Sequence, residues 1–313
     1  MKLIELFAGI GTQYRAFNEF IPTEVVVISE IDKRPLKIYN KLFNKVFNLG
    51  NITKIESLPI ADVWTYSFPC TDLSIAGKQR GLGGENSALI YEVLRLLKVS
   101  PKPKVLIMEN VANLVSKTFI RGFEEWIEYL EKEGYTTTWQ KMRACDYGGG
   151  TIRNRVFAVS VYNSKKNFIF PKKTGTTKVV RDYLEPYDSK FYVAERFDYF
   201  TEKSYNKTIK IKDYLGGGQG NRIYSIDGQG ITLTATGGGH GASSGLYLRD
   251  EAISKLSGIE MAKIMGWSRD EAVQMKEVAT DRELGFVLGN SIDLNVMKAL
   301  AKAVVQQFFE GKV

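Results

Sequence analysis

The sequence is poor in the side chains that metal sites, disulfide frameworks and histidine-based catalysis need. Its 313 residues include two cysteines, Cys70 and Cys145, and one histidine, His240. A single histidine argues against a Cys/His zinc site and against a Ser-His-Asp triad. Two cysteines without a secretory signal favour two thiols over a disulfide. We therefore expect no metal site, and acid–base chemistry must use carboxylates, water or a cysteine.

Long apolar runs and a leader segment are also missing. No stretch approaches the roughly 18 uninterrupted apolar residues of a membrane span, and MKLIELFAGIG lacks a charged leader with a cleavage site. The expected location is the cytoplasm. With 44% hydrophobic and 25% charged residues, the composition is that of a globular protein with one large core, or one large and one small core.

The formal charge of +8 is concentrated in one part of the chain. Residues 165–212 hold twelve Lys/Arg against six Asp/Glu. We call this the basic segment. It is either a solvated surface or a face that contacts nucleic-acid phosphates.

The first 162 residues alternate β-rich runs with helical segments. The predicted strands are KLIELFAG, EVVVISEID, ADVWTYSFP, KVLIMENV, TTTWQKMRA and RVFAVSVY. The clearest helix runs from Phe119 to Glu133, where apolar residues recur at helical spacing. This alternation, with near-continuous apolar strands, predicts an α/β fold with a doubly wound, mostly parallel, Rossmann-like sheet.

After Tyr162 the pattern changes to Lys- and Tyr/Phe-rich segments and then to glycine clusters. We interpret residues 171–284 as a second, smaller domain. Residues 1–170 plus 285–313 form the other domain, to which a helix over 292–309 returns. The smaller domain's aromatic residues are predicted to form its core rather than base-stacking platforms: Phe191, Tyr192, Phe197, Tyr199 and Phe200.

Residues with useful chemistry follow several predicted strands. Gly9 and Gly11 lie where the first strand should turn into a helix, although Tyr14 replaces the third glycine of a dinucleotide fingerprint. Glu30 ends the second strand, either to bind ribose hydroxyls or as a surface carboxylate. Cys70 follows the third, either as a small buried residue or as a nucleophile at the ligand-binding edge.

Two further strands add charged groups to the same edge. Glu109 lies near the end of the apolar run VLIMENV, and in such an apolar setting a carboxyl group can act as a proton donor. Arg153 and Arg155 alternate along the next strand and would share one face. Their coincidence with Cys70 predicts an active site.

Six short blocks occur in order along the chain. They are LFAGIG, SFPCTDLS, MENVANL, RNRVFAV, RIYSIDGQGITLTATGGG and LGNSI. Together they resemble the DNA cytosine-5 methyltransferase family, of the small restriction-modification type, nearly from end to end. The resemblance implies S-adenosylmethionine as methyl donor, S-adenosylhomocysteine as product, and a cytosine flipped out of double-stranded DNA as acceptor. It further implies a smaller target-recognition domain and a monomer that acts separately from any cognate restriction endonuclease.

The resemblance also implies a mechanism. The Cys70 thiolate would add to cytosine carbon 6 and so activate carbon 5; loss of the carbon-5 proton and elimination would then free the enzyme. Glu109 would donate to ring nitrogen 3, and Arg155 would hold the base or a phosphate, with Arg153 in support. Cys145 matches no block and is predicted to be a packed core thiol.

Binding residues carry over in the same way. Cofactor contacts are implied at Phe7, Gly9, Gly11, Glu30, Ile31, Asn51, Ile52, Pro69, Leu89, Asn290 and Ser291. DNA contacts are implied at Ser74, Lys78, Gln219, Asn221, Arg222 and Thr232. Thr71 and Thr151 stand where the family usually has Gln. Asn51 stands for Asp, and its side-chain oxygen is expected to accept from the adenine amino group.

The segment GGGQGNRIY at 216–224 resembles the recognition segment of small enzymes that modify the inner cytosine of a GCGC-type site. Gln219 would fill the gap left by the flipped cytosine, and Thr232 would hold a phosphate. Arg222 would read an adjoining guanine, because a guanidinium matches the two major-groove acceptors of that base. Asn221 replaces a carboxylate of that subgroup, so only a CG or GC step is predicted. A glycine-rich turn in which Arg222 contacts only phosphate stays open.

Three other functions compete with this one. An RNA (tRNA) cytosine-5 methyltransferase of the same fold uses the same cysteine chemistry and stays open. A DNA-binding protein with a degenerate active site is disfavoured by intact Cys70, Glu109 and Arg155. An NAD-dependent oxidoreductase needs the third glycine and has no use for a Pro-Cys loop.

Overall fold

A six-stranded sheet forms the centre of the larger part of the molecule. The computed structural model describes residues 1–69, 89–214, 216, 218–235 and 241–310. The strands are β1 (Lys2–Leu6), β2 (Glu24–Ser29), β3 (Val63–Tyr66), β4 (Val105–Val111), β5 (Tyr135–Arg143) and β6 (Asn154–Tyr162). Their order is β2-β1-β3-β4-β6-β5, and β6 runs antiparallel to both neighbours. The predicted α/β fold with a mostly parallel sheet is confirmed.

Helices cover both faces of this sheet. They are α1 (Thr12–Phe17), α2 (Lys33–Leu42), α3 (Ile90–Val99), α4 (Ile120–Lys132), α5 (Gly258–Ile264), α6 (Arg269–Val278), α7 (Asp281–Asn290) and α8 (Leu294–Phe308). The bounds of α4 and α8 lie within two residues of those predicted. Three of the later helices begin with capping boxes, in which a Ser or Thr hydroxyl and a Glu three residues on satisfy backbone N–H groups: Ser257/Glu260, Ser268/Glu271 and Thr280/Glu283.

Successive residues of the central strands feed two separate cores. Leu3 and Ile107 belong to the cluster that includes α1 and α8, whereas Ile4 and Leu106 belong to the cluster that includes α3 and α4. Because both faces are buried, these strands read as continuous apolar runs rather than as alternating ones. The result is a three-layer arrangement in which the strand ends, not the faces, are left to bind ligands.

A second sheet follows in the chain. Its strands are β7 (Tyr192–Glu195), β8 (Lys210–Asp213), β9 (Arg222–Ser225), β10 (Leu246–Leu248) and β11 (Ala252–Ser254), in the order β7-β11-β10-β9-β8. Its small core consists of aliphatic residues from β9, β10 and β11, with partly buried neighbours that include Phe197.

The aromatic residues of the smaller domain were expected to be buried together, and for three of them that expectation is wrong. Phe191 is 6% exposed, but Tyr192 and Tyr199 are 49% and 42% exposed, and Phe200 is 90% exposed. The short strands enclose a core that aliphatic side chains already fill. These rings therefore lie on the surface.

The helices after the second sheet pack back on the first domain. The Lys37 ammonium of α2 lies 2.7 Å from the Glu283 carboxylate, and the Arg34 guanidinium lies 3.6 Å from the centre of the Phe286 ring. The domain boundary at 284 thus falls within α7 and stays a prediction. In the described parts of the chain, no helix has the length and apolar character that crossing a membrane requires.

Candidate active site

A cavity of about 350 Å³ opens at the carboxyl ends of β1, β2, β3 and β4. Its volume lies in the range of small-molecule sites. Ten of the eleven residues predicted to bind the cofactor line it: Phe7, Gly9, Glu30, Ile31, Asn51, Ile52, Pro69, Leu89, Asn290 and Ser291. Glu109, Arg153 and Arg155 line the same cavity. The structure therefore brings together, from eight segments, residues that span almost the whole chain.

The loop from β1 to α1 has an unusual backbone. Phe7, Gly9 and Gly11 all have positive φ, at 58°, 59° and 76°, and Phe7 is a bulky residue in a region that favours glycine. Gly11 does not line the cavity, and its expected contact with the cofactor stays a prediction. A Cβ atom there would lie 2.7 Å from ring carbons of both Tyr39 and Phe43. Gly11 is thus required for packing of the loop against α2.

Glu30 ties this loop to the end of β2. Its two carboxylate oxygens accept from the backbone N–H groups of Gly9 (2.9 Å) and Asp32 (2.8 Å). Burial raises the pKa of the Glu30 carboxyl group. It is therefore not a free surface carboxylate, and each oxygen keeps a lone pair for a ligand hydroxyl.

The side-chain oxygen of Asn51 has partners within the chain. Its Oδ1 accepts from both the backbone N–H and the hydroxyl of Thr53, each at 3.1 Å. Both lone pairs of that oxygen are then used. The expectation that the oxygen accepts from an adenine amino group stays a prediction, and the side-chain Nδ2 is a second polar group of Asn51 for a ligand.

At the end of β4 the two charged groups predicted for catalysis meet. Glu109 is 6% exposed, and its Oε1 lies 3.3 Å from Nε of Arg155. The register explains the contact, since Val111 of β4 pairs with Arg155 of β6. The next residue, Asn110, is buried and donates from Nδ2 to the Phe68 carbonyl oxygen at 3.0 Å. Sequence reasoning missed this link from β4 to the chain just before Cys70.

Arg153 has a different environment from Arg155. It lies one residue before β6, and it lines the same cavity as Arg155. Its guanidinium is buried and donates to three carbonyl oxygens, of Leu233 (3.1 Å), Gly289 (3.0 Å) and Ser291 (2.6 Å). Arg153 thus connects the cavity wall, the segment after β9 and the turn between α7 and α8.

Of the two cysteines, Cys145 lies in the part of the chain that the structure describes. Cys145 is 2% exposed and burial raises the pKa of its thiol, which confirms the prediction of a packed core thiol. Cys70 lies outside the described residues, as do Thr71, Ser74, Lys78 and His240. Pro69, directly before Cys70, lines the cavity.

The residues predicted to read DNA lie at the start of β9. Gln219 and Asn221 bound a single helical turn that leads into Arg222. Nε2 of Gln219 donates to the Thr232 carbonyl oxygen at 2.9 Å. Leu233, the next residue, accepts from Arg153, so this region is connected directly to the cavity wall.

Known proteins resemble this chain along its whole length. The model of the family described as C-5 cytosine-specific DNA methylase matches residues 1–306. The chain belongs to this family. The methylase is 32% identical over 312 residues to the type II methyltransferase M.HhaI of Haemophilus parahaemolyticus, a match that covers 96% of this chain and 93% of that protein. It is 30% identical to the type II methyltransferase M.Bsp6I of Bacillus sp. (strain RFL6), over 97% of this chain and 98% of that protein.

Solved structures show the same fold for the methylase. The S. pombe Dnmt2 methyltransferase superposes with a TM-score of 0.73 at 20% identity, covering 99% of both chains. The Entamoeba histolytica methyltransferase EhMeth gives 0.75 at 19% identity, again over 99% of both chains. The predicted family, fold and enzyme class, a DNA cytosine-5 methyltransferase, are confirmed. Membership of the family implies S-adenosylmethionine-dependent catalysis on DNA.

Proposed function

We propose that this methylase modifies carbon 5 of a flipped-out cytosine in a short specific sequence of duplex DNA, with Cys70 as nucleophile and Glu109 as proton donor at ring nitrogen 3. The arrangement at the end of β4 carries the proposal. There a buried carboxyl group, held by Arg155, faces the same cavity as Pro69, the residue before Cys70. A proton donor and a nucleophile on one cavity wall match the needs of addition to a pyrimidine ring.

The lining of the cavity fits S-adenosylmethionine. Glu30 keeps one lone pair on each oxygen for ribose hydroxyls, and Nδ2 of Asn51 suits an acceptor nitrogen of a purine ring. Ile31, 73% exposed, offers that ring an apolar surface. When bound, the cofactor supplies an electrophilic methyl group. Phe7, Gly9, Ile52, Pro69, Leu89, Asn290 and Ser291 complete the proposed contacts.

The remaining chemistry belongs to the side chains of the protein. The Cys70 thiolate forms a bond to cytosine carbon 6, and ring nitrogen 3 takes a proton from Glu109, which prevents negative charge from accumulating on the ring. Carbon 5 is then nucleophilic enough to be methylated. Loss of the carbon-5 proton to solvent water and cleavage of the carbon–sulfur bond return the thiolate, and the proton on ring nitrogen 3 passes back to Glu109. Arg155 orients Glu109, and the three bonds of Arg153 support a positioning role rather than contact with the base.

Recognition of the duplex is assigned to the smaller sheet and the basic segment. Gln219, Asn221, Arg222 and Thr232 lie together at the start of β9 and just after it, and we propose that they contact the bases and phosphates around the target. Ser74 and Lys78 stay predictions. The enzyme is proposed to act as a monomer and separately from any restriction endonuclease.

Bisulfite sequencing of DNA from cells that express the chain tests this function. We expect 5-methylcytosine at one short motif that contains a CG or GC step, and none with Cys70→Ser, because an alcohol is not ionised near neutral pH. Purified enzyme should form a stable adduct with duplex that carries 5-fluorocytosine, where no proton can leave carbon 5. Methylation by Cys70→Ser within tenfold of the wild type, or a preference for tRNA over duplex DNA, would contradict the proposal.

A further inference from the structure

Two strands of the smaller sheet place a carboxylate beside the residue proposed to read a base. β8 and β9 are antiparallel, and their register sets Asp213 directly opposite Arg222. Such opposite pairs have the closest side-chain contact in a sheet. Arg222 is also the first residue after the turn Gln219–Asn221, so its backbone is fixed on both sides.

The side chains of this pair are in contact. Oδ1 of Asp213 lies 3.5 Å from Nε of Arg222, while its Oδ2 accepts from Nζ of Lys210 at 2.8 Å. Tyr224, two residues along β9 and on the same face, hydrogen-bonds to Arg222 as well. The Arg222 side chain is 39% exposed and that of Asp213 is 47% exposed. The guanidinium is therefore held at the surface by partners from two strands.

A carboxylate in this position has two effects on a DNA-reading arginine. An arginine without such a partner can turn to the nearest phosphate, a contact that carries no sequence information. Asp213 disfavours this rotation of the arginine side chain toward a phosphate, because its carboxylate attracts the guanidinium and repels phosphates. Specificity is a difference between affinities, and a group that penalises the wrong contact increases it.

We propose that Asp213 determines sequence specificity by positioning Arg222 toward a guanine edge beside the target cytosine and away from the DNA backbone. The inference rests on the proposed function, in which Arg222 reads a base. It assigns to Asp213 no contact with substrate or cofactor. A carboxylate that merely stabilises the β8–β9 pair would affect stability and leave base preference unchanged.

The test compares kcat/KM for methylation of the preferred duplex with that of duplexes changed at single bases beside the target. For Asp213→Ala we expect the ratio between preferred and changed sites to fall about tenfold, mainly because the changed sites are methylated faster. Non-specific duplex affinity should rise, because a negative charge is lost from the DNA-facing surface. Asp213→Glu should restore part of the ratio, and the double variant with Arg222→Ala should discriminate no worse than Arg222→Ala alone.

Asp198→Ala is the matched control. Asp198 is another exposed carboxylate of the smaller domain, 3.7 Å from Arg196, and its removal changes the net charge equally. It should leave the ratio unchanged. Thermal melting of every variant reports folding, and Asp213→Asn replaces the alanine variant if the latter is unstable.

Several outcomes would overturn the inference. The inference is overturned if the ratio stays at its wild-type value in both Asp213→Ala and Asp213→Asn, or if it falls equally with Asp198→Ala. A uniform gain in activity on all duplexes would reduce Asp213 to a general electrostatic effect. If the wild type failed to methylate duplex DNA at all, the proposed function itself would be wrong, whereas a site-selective wild type with unaltered variants would refute the role of Asp213 alone.

Discussion

Glu5 is a buried carboxyl group near the end of β1, hydrogen-bonded to α1. It is 0% exposed, and it accepts from the Tyr14 backbone N–H (2.9 Å) and from the Tyr39 hydroxyl (2.8 Å). Burial raises its pKa from 4.5 to about 7, against the smaller opposing effect of these hydrogen bonds. The folded chain therefore binds a proton that the unfolded chain releases between these two values.

The consequence for stability has a definite sign. The contribution of Glu5 is fully present below pH 4.5 and is lost as the pH rises through about 7. At about 1.36 kcal/mol per pKa unit, the loss is on the order of 3 kcal/mol. Glu5→Gln keeps an oxygen for Tyr14 and removes the charge. We expect this variant to be more stable than the wild type by on the order of 3 kcal/mol at pH 8 and by less than about 1 kcal/mol at pH 5.

Urea unfolding at the two pH values, followed by circular dichroism, measures this difference. Glu24 is an exposed carboxylate on the adjacent strand β2, and Glu24→Gln is the control. It should change the free energy of unfolding by the same small amount at both pH values. If the Glu5→Gln variant were less stable than the wild type by the same amount at pH 5 and pH 8, the reasoning would be refuted, because Glu5 would then be needed as an ionised acceptor.

Four further predictions concern the cavity and the basic segment. Gly11→Ala and Gly9→Ala both place alanine at positive φ, which should lower the free energy of unfolding by roughly 1–2 kcal/mol each. Urea unfolding should show a larger loss for Gly11→Ala, because only a Cβ atom at position 11 meets ring atoms at 2.7 Å. Equal losses for the two variants would contradict this. Glu109→Gln should keep cofactor affinity in calorimetry and slow single-turnover methylation by about 10²-fold or more, and unchanged turnover would remove Glu109 from the donor role. Arg153→Lys should lower the free energy of unfolding by about 1–3 kcal/mol, since one ammonium cannot serve three carbonyl oxygens in separate segments; a variant of wild-type stability would show that these bonds contribute little. Duplex affinity should fall steeply between low and moderate salt, and flat affinity would make residues 165–212 a solvated surface only.

The sequence predicts the strand ends well, because hydrophobic periodicity and the six blocks are local properties. Ten of eleven predicted cofactor positions lie on one cavity, and the contact of Glu109 with Arg155 follows once β4 and β6 are paired. Those residues are close in space because the carboxyl ends of neighbouring strands meet at one edge of the sheet.

What the sequence does not predict depends on contacts between distant segments. The requirement for glycine at position 11 comes from the rings of Tyr39 and Phe43, which no local pattern indicates. Phe200 was expected to be buried, but how much apolar surface a small sheet encloses depends on which strands pair. The three carbonyl partners of Arg153 have no local signal at all, because a carbonyl oxygen is present at every residue.

The hydrogen bonds of Arg153 also determine how late in its synthesis the chain can form the whole cavity. Its partners lie 80, 136 and 138 residues later in the chain. All six strands of the central sheet are made before residue 163, but the Arg153 guanidinium lacks these three partners until residues 233, 289 and 291 follow. Closing such long loops is slow compared with local folding. We therefore expect nascent chains that stop short of residue 289 to collapse around the sheet without a finished cavity, so that the capacity to methylate appears only late in synthesis.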